Sequence, residues 1–280
     1  MMEFPILVKI WAGSQPHDMR YIRRSIPSLL ASNLPSQAKI FLVNDCSTNP
    51  ELMPFLKKAI QGHNQAQIIT NEKNMGPNDG HVHHVPLLWE KFPQAPYMVC
   101  CDDDIIYHPD WLNRLISVYE ESKKLGIKGI FSALNVPTRS HYDKAHLPTS
   151  EVLIKERQMA LNWLIPRDVY DTVGPFRNTG IAYDSDYCDR MALLHLPVIC
   201  LKPSYVQNIG YHGAYAYDEL GTARDYVGRL DIYLIFREYL YKFRRRIINA
   251  GKRIGNRIPE GKLREIIRYL KRVLKVQIFD

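Results

Sequence analysis

The stretch YMVCCDDDIIYHPDWL, Tyr97 to Leu112, holds the transition on which the fold turns. An apolar run stops at Asp102-Asp103-Asp104, resumes as Ile105-Ile106, and gives way at Pro109-Asp110-Trp111 to a helical pattern. A short apolar run bounded by polar residues reads as a buried strand. Cys100 and Cys101, adjacent within it, would face opposite sides of a sheet. Pro109 suits a first helical position, since its missing N–H is one that a helix start cannot satisfy internally, and His108 is a candidate cap. The helix so opened is expected to run to about Lys124. Three neighbouring carboxylates repel one another and lose hydration if even partly buried, so the turn calls for a positive charge.

Upstream, strand and helix patterns alternate. Pro5–Trp11, Lys39–Val43 and Ala66–Thr70 read as strands. Tyr21–Ser32, limited by Pro27, and Glu51–Gln61 read as helices, and Gly76–Phe92 as a loop continuing into a helix. That alternation implies an α/β fold with a mainly parallel sheet flanked by helices. In such sheets ligands bind beyond the carboxyl ends of the strands. Gly13-Ser14, Asn44-Asp45, Asn71–Gly76 and Asp102–Asp104 should therefore converge on one crevice. Downstream the pattern loosens into a strand at Lys128–Leu134, a polar loop over Pro137–Ser150, and a helix Ser185–Leu194 entered through Asp184. Tyr205–Tyr217 is rich in Gly and aromatics and contains His212-Gly213.

The net charge of +8 is concentrated at one end. Residues 237–280 hold 14 Lys and Arg against 4 Asp and Glu, which leaves the remainder slightly acidic. In KLREIIRYLKRVLKV, Leu263, Ile266, Ile267, Leu270, Val273 and Leu274 form one apolar stripe among cations. The chain thus divides into a domain over 1–229, with halves at about 1–125 and 126–229, and a basic amphipathic helical extension over 230–280. Such an extension fits an anionic membrane surface, and phosphate contacts along DNA would use the same charges. No stretch approaches the roughly 20 apolar residues of a membrane span. MMEFPILVKIW lacks a signal-peptide pattern, and five cysteines without a Cys-x-x-Cys pair argue against a disulfide framework or a zinc site. A cytoplasmic protein, peripheral on the cytoplasmic membrane face, is the expectation.

Asp102 and Asp104, with one residue between them in a turn, can share a divalent cation or its water shell. Mg²⁺ or Mn²⁺ at such sites binds one or two carboxylates together with substrate phosphates. Several further segments, in order, complete a pattern: FLVNDCSTN (Phe41–Asn49), NMGPNDG (Asn74–Gly80), CCDDDIIYHPDWL, LNWLIPRDVYDTVGPF (Leu161–Phe176) and YDSDYCDRM (Tyr183–Met191). Together they resemble the family 2 glycosyltransferases of the GT-A fold, over about residues 5 to 215.

The resemblance implies a GT-A, Rossmann-like mixed sheet and a metal-dependent inverting transferase. It would move a sugar from a UDP-sugar donor to a hydroxyl acceptor, with a lipid-linked or cell-surface glycan suiting the basic tail. Asp45 would bind the nucleobase, Trp11 would supply an aromatic surface beside it, and Gly76 belongs to the Asn-x-Gly loop of the nucleotide-sugar site. Asp102 would face the ribose or the metal's water shell, with Asp103 beside it, and Asp104 would ligate Mn²⁺ or Mg²⁺. Asp184 would be the general base, and His212 a late ligand of metal or diphosphate. Departures are plain: the first strand ends in IWAGSQ, Tyr183 stands where the family usually has Glu, and His81, His83 and His84 fall where relatives often carry Arg.

Each residue also has a structural use: an acidic turn or Asp184 can cap a helix, Asp45 can make an Asx turn, and His212 can be a satisfied core histidine. Three alternatives stay open at this level: glycosylation of hydroxylated DNA bases, a non-catalytic nucleotide-diphosphate-binding protein, and a nucleotidyltransferase. The last normally shows a basic Gly-rich loop, of which WAGSQPHDM is a poor version.

Overall fold

FPILVKI shows little polar alternation, and the strand it forms, β1 (Phe4–Ile10), runs through the middle of a sheet covered on both faces. In the computed structural model, residues 2–14, 16–136, 141–210, 223 and 225–229 are described. The chain separates into two compact units, Met1–Arg229 and Leu230–Asp280. The basic extension and His212 lie outside the described residues.

After β1 come α1 (Pro16–Leu30), β2 (Ala38–Asn44), α2 (Leu52–Ala59), β3 (Ala66–Thr70), α3 (Gly76–Lys91), β4 (Tyr97–Asp102) and β5 (Ile105–Tyr107). Then follow α4 (Trp111–Lys124), β6 (Ile130–Ser132), β7 (His141–His146), β8 (Glu151–Lys155), β9 (Asn162–Pro166), α5 (Arg167–Val173), α6 (Tyr183–Leu193), β10 (Val198–Lys202) and β11 (Val206–Asn208). Among the described residues the main sheet has the order β3-β2-β1-β4-β9-β6-β10-β8-β7. The pairs β3/β2, β2/β1, β1/β4 and β6/β10 are parallel, and β9 is inserted antiparallel between β4 and β6. β5 and β11 form a small antiparallel ribbon of their own. Met98, Val99, Cys100 and Cys101 are fully buried, so helices and loops seal both faces of β4.

Several expectations shift. α1 begins at Pro16, well before Tyr21, and continues past Pro27, whose carbonyl still accepts the Ala31 amide at 2.9 Å. α3 starts at Gly76 itself, with Pro77 in its first turn where no donor is missed. α4 starts at Trp111 rather than Pro109, and His108 Nδ1 accepts the Asp110 amide at 3.2 Å. The polar segment read as a loop contains β7, which at the edge of the sheet pairs with β8 among the described residues. β9, a fully buried Asn-Trp-Leu-Ile-Pro, has too few residues to declare itself by periodicity. No helix among the described residues is long and apolar enough to cross a membrane.

Candidate active site

The carboxyl ends of β1, β2 and β4 lie side by side, and the turns that leave them are tied together. The Ala12 amide donates to Ser47 Oγ at 2.9 Å, and the Thr48 and Asn49 amides donate to the Ala12 carbonyl. The Trp11 amide reaches Asp103 Oδ2 at 3.0 Å, joining the end of β1 to the acidic turn. Trp11's side chain is 46% exposed, a large aromatic face left in solvent beside the acids.

Asp102 closes β4, and its amide donates to the Leu161 carbonyl at 3.0 Å. Asp103 and Asp104 make the turn into β5. β11 runs back along β5, so the Ile209 amide meets the Asp104 carbonyl at 2.8 Å and Gly210 lies against the Asp104 carboxylate. A Cβ at residue 210 would overlap Asp104 Oδ2. The other oxygen, Oδ1, is buried with no hydrogen-bond partner among the described residues. All three residues are only partly buried. Burial, with the Asp104, Asp103 and Asp184 charges behind it, pushes Asp102 well above the usual carboxylate range. Burial and then Asp104 push Asp103 up to about 7, and burial pushes Asp104 up to about 6. A cation placed among these acids would offset both their burial and their mutual repulsion.

Asp184 belongs to the same neighbourhood, since its charge is one of those acting on Asp102. It sits in the first turn of α6, but Ala182 occupies the N-cap position and no side chain of the helix's own start caps it. The Asp184 carboxylate accepts the Ser185 amide at 2.8 Å and the Ala160 amide at 3.4 Å. The capping reading of Asp184 therefore does not hold, and half-buried Asp184 keeps acceptor capacity for a further proton donor.

Asp45 is fully buried, and its lone pairs are taken up within the protein. Oδ1 accepts Asn71 Nδ2 at 2.8 Å and the Met75 amide at 2.9 Å. Oδ2 accepts the Gly76 amide at 3.1 Å and pairs with Lys9 Nζ at 3.0 Å. Backbone and side-chain hydrogen bonds to the carboxylate, with the Lys9 charge, outweigh burial and hold Asp45 below its ordinary range. Gly76 has φ 74°, a left-handed conformation that glycine adopts freely, which turns its amide onto Asp45 and its carbonyl onto Lys9 Nζ. Beyond Asn71, a cavity of about 730 Å³ opens between β2, β3 and α3. Its walls include Phe41, Val43, Ile69 and Leu88, and none of Asp45, Asp102, Asp103, Asp104 and Asp184 lines it.

The sequence reading missed Lys9, although one lysine inside a buried strand signals a buried partner. It also missed Asn71, which links Asp45 to His84 Nε2 at 2.9 Å. The three histidines of α3 part company: His81 and His84 are buried, and His83 packs edge-on against His84. Among the described residues no three His, Cys, Asp or Glu side chains converge as a metal cage. The donor set therefore fits a cation that shares its shell with phosphate oxygens, with Asp104's unpartnered oxygen as its protein anchor.

The model of glycosyl transferase family 2 matches residues 19–172, more than half of the chain, and the chain belongs to that family. Solved structures carry the fold further. Staphylococcus aureus TarS, residues 1–349 in complex with UDP-GlcNAc, superposes with a TM-score of 0.52 at 15% identity over 73% of this chain and 58% of that one. GalNAc-T7 with UDP, GalNAc and Mn²⁺ gives 0.55 at 13% identity over 82% and 45%. The fold is GT-A. The chain spans 36% of the longer TarS chain and about 60% of its 1–349 fragment. Comparison with curated proteins finds no match.

Proposed function

We propose that this protein is a metal-dependent inverting glycosyltransferase that takes a UDP-sugar and glycosylates a hydroxyl of a lipid-linked or cell-surface glycan. One observation carries the reading: the Asp184 charge acts on Asp102 beside Asp103 and Asp104 at the carboxyl end of β4, in a chain of this family. UDP and UDP-GlcNAc in TarS, and UDP with Mn²⁺ in GalNAc-T7, support the donor and the metal.

In this reading Asp104, with Asp102, would hold Mn²⁺ or Mg²⁺, which would supply positive charge to the diphosphate leaving group. Asp103 keeps the β1 end on the acidic turn through the Trp11 amide, and the Trp11 ring faces the base. Asp45 contributes chiefly by clamping Lys9, Met75 and Gly76, because a base N–H could bind it only by displacing one of those donors. Asp184 takes the acceptor's proton, help typically worth about 10²- to 10⁴-fold. A single in-line displacement from the face opposite the diphosphate inverts the anomeric carbon.

Calorimetric titration of UDP tests this directly. Binding should need Mn²⁺, vanish with EDTA, and vanish in Asp104→Ala. Silence toward UDP, GDP and other nucleotides under every condition would sink the reading.

A further inference from the structure

We propose that His81 is a positioning residue for the transfer reaction: through its stack on Tyr183 it sets the direction of the Asp184 carboxylate. The inference rests on Asp184 being the base.

The start of α6 is built from another helix. α6 has no side-chain cap of its own. The Tyr183 amide, an orphan donor of the first turn, is instead taken by Asn78 Oδ1 at 3.2 Å, from α3. Asn78 Nδ2 returns a bond to the Ile181 carbonyl at 3.4 Å, and Asn178 Nδ2 bonds Asp79 Oδ1. One turn further along α3, the His81 ring lies flat on the Tyr183 ring, centroids 4.4 Å apart and planes 16° from parallel. Phe176 also packs against Tyr183 edge-on, centroids 5.1 Å apart. Tyr183 thus packs against two rings, and the next residue in the chain is Asp184.

His81 is itself fixed. Its Nδ1 lies 3.1 Å from the Pro77 carbonyl. A carbonyl only accepts, so Nδ1 carries the hydrogen and Nε2 presents a lone pair. Nε2 is buried and has no partner among the described residues. His81 is 3% exposed, and a buried unpartnered acceptor is unfavourable. An apolar side chain would avoid that cost, so the imidazole is explained by what Nδ1 does: it pins the ring plane parallel to Tyr183. The same helix begins at Gly76, clamped on Asp45, so α3 joins the loop beside the nucleotide to the carboxylate beside the acceptor.

The test compares His81→Ala, His81→Phe and Asp184→Asn in the full chain. Three readouts are taken: UDP release from UDP-GlcNAc with Mn²⁺, UDP affinity by calorimetry, and the crystal structure of each variant. His81→Ala should lower turnover about 10- to 100-fold, the scale of a misplaced group. UDP affinity should stay within about twofold, and Asp184 should lose its Ala160 contact. His81→Phe, which keeps a ring, should recover part of the turnover and return Asp184 toward its place. Asp184 unmoved in the His81→Ala crystal overturns the proposal whether or not UDP-GlcNAc is turned over. So does UDP affinity falling as far as turnover. If Asp184→Asn turns over like the wild type, the base reading has failed; if only His81→Ala does, the failure is confined to His81.

Discussion

Gly80 lies where the side chain of Lys9 passes: a Cβ on residue 80 would overlap Lys9 Cε and crowd its Cδ and Nζ. The missing methyl of one helix residue is what lets a lysine leave the sheet and reach Asp45. Alanine at 80 would suit the helix better by about 1 kcal/mol, but it would drive Nζ from a buried partner, and breaking such a pair costs about 3–5 kcal/mol. Gly80→Ala should therefore destabilise the protein by about 2–4 kcal/mol in urea titrations and weaken UDP binding. In a Lys9→Ala background the same change should be neutral or slightly stabilising, because the obstacle is gone.

Gly210 stands to Asp104 much as Gly80 stands to Lys9. A methyl there must turn the Asp104 carboxylate aside. Gly210→Ala should weaken Mn²⁺-dependent UDP binding at least about tenfold, the scale of one lost charged contact. The melting temperature in EDTA should move little. Calorimetry and thermal melts on the same preparation separate the two effects.

The acidic turn opposes folding when no cation is bound. The folded chain holds the Asp103 proton up to about pH 7, while an ordinary carboxyl releases it near 3.8. Between those values the native state binds more protons than the unfolded one, so stability falls as pH rises and the penalty is complete above 7. Asp103→Asn should raise the melting temperature at pH 8 in EDTA by a few degrees, change little at pH 4, and impair Mn²⁺-dependent UDP binding.

His81 gives the opposite slope. Burial holds it down to about 4, so the native state refuses a proton that the unfolded chain accepts from 6.5 downward. Stability present above pH 6.5 is lost as pH falls towards 4, by about 3 kcal/mol. His84, also lowered by burial, adds to the same loss. Urea midpoints between pH 7 and 4.5 should fall less steeply in His81→Phe than in the wild type.

How far the residues could be read in advance follows from the range of the forces involved. β1, β2, β3 and β4 were legible because each is a short apolar run bounded by polar residues. The acidic turn was legible because three adjacent carboxylates need a reason. β9 and the β7–β8 hairpin were not, since pairing partners far along the chain make them strands. Lys9, Asn71 and the His81–Tyr183 stack belong to the same group: each is a contact between residues that only the assembled sheet brings together. Asp45 was legible as a polar residue at a strand end, but not that four protein donors fill its carboxylate.

The amide of Tyr183 takes its partner from Asn78, 105 positions earlier in the chain. An α6 made on its own would open at that end, as uncapped helices fray. The Tyr183 amide of its first turn is therefore satisfied by the segment carrying α3. A single backbone proton thus gauges whether α3 and α6 have met, one residue before Asp184.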